Sequence, residues 1–315
     1  MKPDIILVEP MMPEIEADLD AAYQVHRLFE SEEARRIDEV AGQVRAVVTG
    51  GGAGLDDGWI DRLPSLGIIA VNGVGTDQVN LEKARARGIS VTTTPGVLTD
   101  DVADIGMALI LAVLRQVTAG DRLVRSGAWA EGGKLPLGTS LKGKRLGILG
   151  LGQIGRALAV RGEAFGMDVA FYNRSPLEGL AWKKAETPEE LARESDILAV
   201  CVAGTAATRN MVDGAVLEAL GPEGVLVNVS RGSVVDEDAL VAALREGRIG
   251  AAGLDVFVGE PRIRPEFQRL ENVVLAPHQG SATVETRRAM GRLVLENLSA
   301  FFAGAEPPTD ILKMR

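Results

Sequence analysis

Three glycines constrain this chain more than any other feature. Gly150, Gly152 and Gly155 stand in the run RLGILGLGQIGRALAV, directly after an apolar strand and directly before a helix. In that setting the three serve different ends. The first permits a tight turn, the second lets an anionic ligand approach the backbone, and the third lets helix and strand pack closely. The helix start then offers free N–H groups to the anion, and a dinucleotide pyrophosphate fits such a cradle.

The rest of the chain has the rhythm that this cradle demands. DIILVEP, YQVHRLF, RAVVTG, LGIIAVNG and ISVTTTP form a first strand series, and RLGILG, DVAFYN, DILAVCV, GVLVNVS, AAGLDVF and VVLAPH form a second. Buried parallel strands read as continuous apolar runs, as these do. Between the series, TPGVLTDDVADIGMALILAVLR predicts one long buried helix from about 100 to 119, with Thr99 as N-cap and acids at 100, 101 and 104 in its first turns. The closing VETRRAMGRLVLENLSAFFAG repeats apolar residues at helical spacing and is expected to return to the first series. The fold class is therefore α/β, with two doubly wound parallel-sheet domains.

Composition narrows the function classes. With 34 Lys plus Arg against 44 Asp plus Glu the net charge is −10, which disfavours nucleic acid and anionic membrane as bulk partners. The longest stretch without a charge, Leu63 to Thr76, is broken by Pro64 and glycines and is too short to span a bilayer. One cysteine, Cys201, leaves no internal disulfide, and no basic-then-apolar leader opens the chain, so a reducing cytoplasmic home is expected. Trp129, in the Gly/Pro-rich segment 119 to 138, reads as the anchor of a homodimer contact. No metal is expected.

The second strand of this series, the first after the glycines, ends in VAFYNRSP, where dinucleotide-binding sheets usually place an acidic residue against the ribose hydroxyl. A carboxylate there would repel a 2′-phosphate. Asn173 removes that repulsion, Arg174 can pair with the phosphate through its planar fork, and Ser175 adds a donor. NADP(H) is the preferred cofactor on this reading, with NAD(H) possible.

Three further strand ends carry chemistry. NVSRGSVVDEDAL puts Arg231 past one strand, GLDVFVGEP puts Asp255 within a strand and Glu260 in the following loop, and APHQGS puts His278 past the last strand. Reduction of a 2-oxo acid needs a proton donor active near neutrality. Of the two histidines, His26 sits in an early strand and reads as packing, which leaves His278 as the acid. Glu260 would orient its imidazole and favour the charged form, while Arg231 would hold the substrate carboxylate and polarise the carbonyl.

Together with VNGVG and TPGVLTDDVAD, these motifs cover nearly the whole chain and resemble the D-isomer-specific 2-hydroxyacid dehydrogenases, closest to the NADPH-preferring glyoxylate/hydroxypyruvate and hydroxyphenylpyruvate reductases. The resemblance implies that Arg231, Glu260 and His278 are catalytic and that Asp255 faces the nicotinamide amide. The cofactor set it implies is Gly150, Leu151, Gly152, Gln153, Ile154, Gly155, Asn173, Arg174, Ser175, Val229, Ser230, Arg231, Asp255 and Gly280. Backbone N–H groups at Val74 and Gly75, with Arg231, would receive the substrate. It also implies a Rossmann cofactor domain, residues 99–287, inserted into a flavodoxin-like substrate domain of residues 1–98 plus 288–315, with a cleft that closes by a hinge at the two crossings. The expected activity is NADPH-dependent reduction of glyoxylate or hydroxypyruvate to the D-2-hydroxy acid. A reductase of bulkier aryl or alkyl 2-oxo acids, or a dinucleotide-sensing scaffold, stays open at this point.

Overall fold

The computed structural model describes residues 2–30, 37–177 and 179–313. The chain divides into two compact units, Met1–Leu98 with Ala282–Arg315 and Thr99–Ser281. The return to the first unit precedes the C-terminal helix, six residues ahead of the 287/288 expected from sequence, because Val284–Phe302 belongs whole to the first unit. Its start is fixed by Thr283, whose hydroxyl oxygen accepts from Thr286 N at 3.1 Å.

In the first unit five parallel strands, β1 (Asp4–Leu7), β2 (Gln24–Arg27), β3 (Ala46–Gly50), β4 (Ile68–Asn72) and β5 (Ser90–Thr92), lie in the order 2-1-3-4-5. Side chains alternate across the sheet, and both faces are covered. Ile5, Leu7, Val48 and Ala70 meet Ile15, Leu19, Val294 and Leu298 from the helices Pro13–Ala22 and Val284–Phe302. On the other face Ile6, Val47, Ile69 and Val71 meet Ile60, Leu63 and Ala84. Double burial is why these strands show unbroken apolar runs rather than alternation. His26, on edge strand β2, pairs with Asp4 at 2.8 Å.

In the second unit seven parallel strands carry the order β12-β11-β10-β9-β6-β7-β8. They are β6 (Arg145–Leu149), β7 (Asp168–Tyr172), β8 (Lys183–Lys184), β9 (Ile197–Val200), β10 (Val225–Asn228), β11 (Ala251–Leu254) and β12 (Val273–Leu275). Counted within the unit the order is 3-2-1-4-5-6-7, a dinucleotide-binding sheet extended by one strand. The extending strand is β12, and the one strand beyond the six expected from sequence is β8, whose two exposed lysines give no apolar signal. Asp255 lies just past β11 rather than within it.

The apolar stretch expected to be one helix from about 100 to 119 is two helices. Thr99–Leu114 and Val117–Arg125 meet at an angle of 62°. Gln116 between them has a left-handed φ of 54°, and its side-chain amide donates to the Pro136 carbonyl at 3.2 Å, which ties the break to the following loop. Thr99 is itself the first helical residue, and its hydroxyl bonds to Gln153 at 3.3 Å. Among the described residues no single helix is long and apolar enough to cross a membrane.

Candidate active site

The cradle sits where the second unit's strand order reverses, at the carboxyl ends of β6 and β9, where open sheets bind ligands. Gly150 has φ 99°, and a Cβ there would lie 2.6 Å from Val202 Cγ1, so this turn tolerates only glycine. A Cβ on Gly155 would collide with the Gly150 carbonyl oxygen. Around Gly152 there is open space within 4 Å of a Cβ position, and no side chain caps the helix Gln153–Ala164 that begins there. A bare, uncapped helix start beside free volume fits the pyrophosphate of a dinucleotide.

Asn173 follows β7 and is fastened to the glycine loop. Its Oδ1 accepts from Leu151 N at 3.3 Å and its Nδ2 donates to the Ser175 carbonyl at 2.9 Å. Arg174 and Ser175 are exposed, and Arg174 has no ion-pair partner among the described residues. Among the described residues no carboxylate stands at the end of β7, and Asn173, Arg174 and Ser175 offer a cation and neutral polar groups there.

Strands β10, β11 and β12 are neighbours whose ends align, with Asn228 opposite Leu254 and Leu254 opposite Leu275. That alignment brings Arg231, Asp255, Glu260 and His278 to one end of the sheet. His278 Nδ1 lies 2.6 Å from Glu260 Oε2, and Glu260 Oε1 accepts from Phe257 N at 2.7 Å. Burial opposes the charged form of Glu260, but the bonds from His278 and Phe257 and the positive charges of His278 and Arg231 outweigh it and hold the carboxyl below its ordinary value. With Nδ1 engaged, Nε2 is the ring nitrogen left to exchange a proton.

The His278 loop is held by Asp255. Its carboxylate accepts from Gln279 N at 2.6 Å and Gly280 N at 2.8 Å, and its carbonyl accepts from His278 N at 2.9 Å. Burial raises the Asp255 carboxyl above its ordinary value, partly offset by those two N–H groups. His278 has φ 54°, a left-handed conformation that this clamp sustains. Arg231 runs past Gly204, where a Cβ would lie 2.6 Å from its Cγ. The backbone of Val229, Ser230 and Arg231 is locked by Asn228, which accepts from Ser230 N at 3.0 Å and donates to the Arg231 carbonyl at 2.9 Å.

Two of these supports, Asn228 and Glu237, were missed from sequence. Glu237 accepts from Val258 N at 2.8 Å and pins the loop that carries Glu260, while Gly232 lies so close to Phe257 that a Cβ would overlap its backbone. In the sequence Glu237 reads only as a first-turn acid of the helix Glu237–Arg245. Val74 and Gly75 belong to the first unit, in the loop after β4, where Thr94 N donates to the Gly73 carbonyl at 2.8 Å.

Known proteins resemble the chain along nearly its whole length. Residues 107–280 match the NAD binding domain of the D-isomer specific 2-hydroxyacid dehydrogenases. The chain is 46% identical to a 2-ketogluconate reductase of Gluconobacter oxydans over 99% of both chains, and 45% identical to glyoxylate/hydroxypyruvate reductase A of Arabidopsis thaliana over 98% of both. Among solved structures it resembles an NADPH-dependent glyoxylate/hydroxypyruvate reductase of Sinorhizobium meliloti in complex with NADP and malonate. That likeness has a TM-score of 0.93 and 42% identity, covering 99% of this chain and 97% of the other.

Proposed function

The chain belongs to the D-isomer specific 2-hydroxyacid dehydrogenases, and on that premise we propose that it reduces small 2-oxo acids, hydroxypyruvate and glyoxylate among them, to D-2-hydroxy acids with NADPH. The observation that carries the reading is the His278–Glu260 pair at 2.6 Å, on the same sheet end as a bare glycine cradle. NADPH, when bound, supplies the hydride. His278 Nε2 gives the proton to the carbonyl oxygen, and Glu260, bonded to Nδ1, holds the ring in the orientation for that transfer. Arg231 polarises the carbonyl and shares the substrate carboxylate, which the Val74 and Gly75 N–H groups also receive.

Asp255 and Gly280 would face the nicotinamide, and Val229 and Ser230 would line its path. Leu151 to Gly155 would take the pyrophosphate, and Asn173, Arg174 and Ser175 the 2′-phosphate. We place the enzyme in the cytoplasm as a homodimer. Its single thiol, Cys201, which burial pushes up to about 12, suits a chain built without disulfides.

The test is the rate of cofactor oxidation with hydroxypyruvate at limiting NADPH and, separately, limiting NADH. A preference for NADPH that Arg174→Ala reduces by about 10- to 100-fold supports the reading, since a charge-assisted phosphate contact is worth about 1.5–3 kcal/mol. Equal rates with both cofactors would remove the phosphate role of Arg174. Turnover of no 2-oxo acid at all would leave a dinucleotide-binding protein without catalysis.

A further inference from the structure

A parallel sheet ordered 2-1-3-4-5 reverses its winding between β1 and β3, and the crevice at the carboxyl ends of those two strands is where such sheets take ligands. In the first unit Glu9 follows β1, and the run Gly50-Gly51-Gly52-Ala53-Gly54 follows β3. The Glu9 carboxylate occupies the place that a Cβ on Gly50 would take, so glycine is what admits it. Gly52 borders open space, and a Cβ on Gly73 would lie 3.3 Å from Gly51 N. The Val74–Gly75 loop and the Glu9 crevice are therefore adjacent parts of one surface.

Glu9 is half-buried there. Loss of hydration raises its carboxyl above the ordinary value, and the charge of Arg287, at the start of the C-terminal helix, only partly offsets this. Among the described residues nothing donates a hydrogen bond to it. A partly dehydrated carboxylate with no protein donor keeps its lone pairs open to an O–H group that enters with a ligand.

We propose that Glu9 is a specificity residue that accepts a hydrogen bond from the C3 hydroxyl of the substrate, at a subsite formed with the backbone of Gly50 to Gly52. The inference rests on the reductase reading and names its substrate class. The favoured substrates are 3-hydroxylated 2-oxo acids, hydroxypyruvate and the longer 2-oxo sugar acids, ahead of pyruvate, which carries a methyl at that position. An ionised carboxylate only accepts, so it offers nothing to a methyl and repels a second carboxylate. Oxaloacetate is accordingly a poor substrate.

The experiment measures kcat/KM with NADPH for hydroxypyruvate, pyruvate and oxaloacetate in the wild-type enzyme and in Glu9→Gln and Glu9→Ala. The expected result is a wild-type preference for hydroxypyruvate over pyruvate that falls by about 10- to 100-fold in Glu9→Ala, the range of one hydrogen bond to a charged group. Oxaloacetate gains relative to pyruvate in Glu9→Gln, where size is kept and charge is lost. A hydroxypyruvate to pyruvate ratio near one in the wild type, or one that neither variant moves, overturns the subsite and leaves the reductase reading standing. If Glu9→Ala does not fold, the wild-type ratio and Glu9→Gln decide the matter. Wild-type protein that reduces none of the three, and does not reduce glyoxylate either, overturns both.

Discussion

At the scale of single residues, the site rests on one short contact and the groups that enforce it. His278 is the only described candidate acid at the sheet end, and its Nδ1 is committed to Glu260. His278→Gln should lower kcat by about 10²- to 10⁴-fold, the range of general acid catalysis, while NADPH binding, followed by fluorescence titration, stays within about threefold. Glu260 has a folded-state value below its ordinary 4.5, so it contributes stability that is fully present above the unfolded value and lost as pH falls through the folded one. The difference in melting temperature between wild type and Glu260→Gln should therefore be largest near neutrality and shrink as pH drops below the ordinary glutamate range. A difference that does not change from about pH 7 to about pH 3.5 would refute the ionic role. Arg231, Glu260 and His278 were legible in sequence because each stands in a short motif at a strand end. Asn228, Glu237 and Glu9 were not, because their roles come from backbone N–H groups, charges and glycine backbones brought alongside by strand pairing.

At the scale of elements, the glycine loop separates two demands that sequence reading lumps together. Gly155 is needed by the fold, since a Cβ there meets the Gly150 carbonyl oxygen, whereas Gly152 borders open space. Gly155→Ala should lower the melting temperature by several degrees, as overpacking against backbone costs about 1–3 kcal/mol. Gly152→Ala should melt within about 2 °C of wild type yet weaken NADPH at least about tenfold, because its added methyl takes ligand space and nothing else. Calorimetry with and without NADPH distinguishes the two; equal loss of stability in both variants would show that the open space at Gly152 is not kept for a ligand. Both sheets could be read in advance, since strands buried on two faces announce themselves as apolar runs. The break at Gln116 could not, because neither glycine nor proline marks it and a left-handed glutamine is held there by the loop it bonds to. The two-residue β8 escaped for the opposite reason: its lysines are exposed, and only backbone pairing with Ala170 and Phe171 makes it a strand.

At the scale of the whole molecule, the question is what covers the arm formed by Val117–Arg125 and the loop after it. Trp129 is 65% exposed and Leu137 98% exposed, and Val117, Val124 and Leu135 are open on the same segment. Isolated exposed hydrophobics are ordinary, but five within one segment of a chain with net charge −10 make a surface that a partner would cover. A second copy of the chain is the simplest partner, because an isologous contact pairs each arm with its twin and closes the assembly at two. A stable dimer needs about 800 Å² from each subunit, which an arm with a tryptophan anchor can seed. Sedimentation velocity should thus find a dimer at micromolar concentration. Trp129→Ala combined with Leu137→Asp should raise the dissociation constant at least about 100-fold, since truncating a tryptophan anchor costs about 2 kcal/mol or more and a carboxylate on the apolar face adds desolvation. The reading fails if the wild type sediments as a monomer at tens of micromolar, because the arm's apolar surface would then have no self-partner.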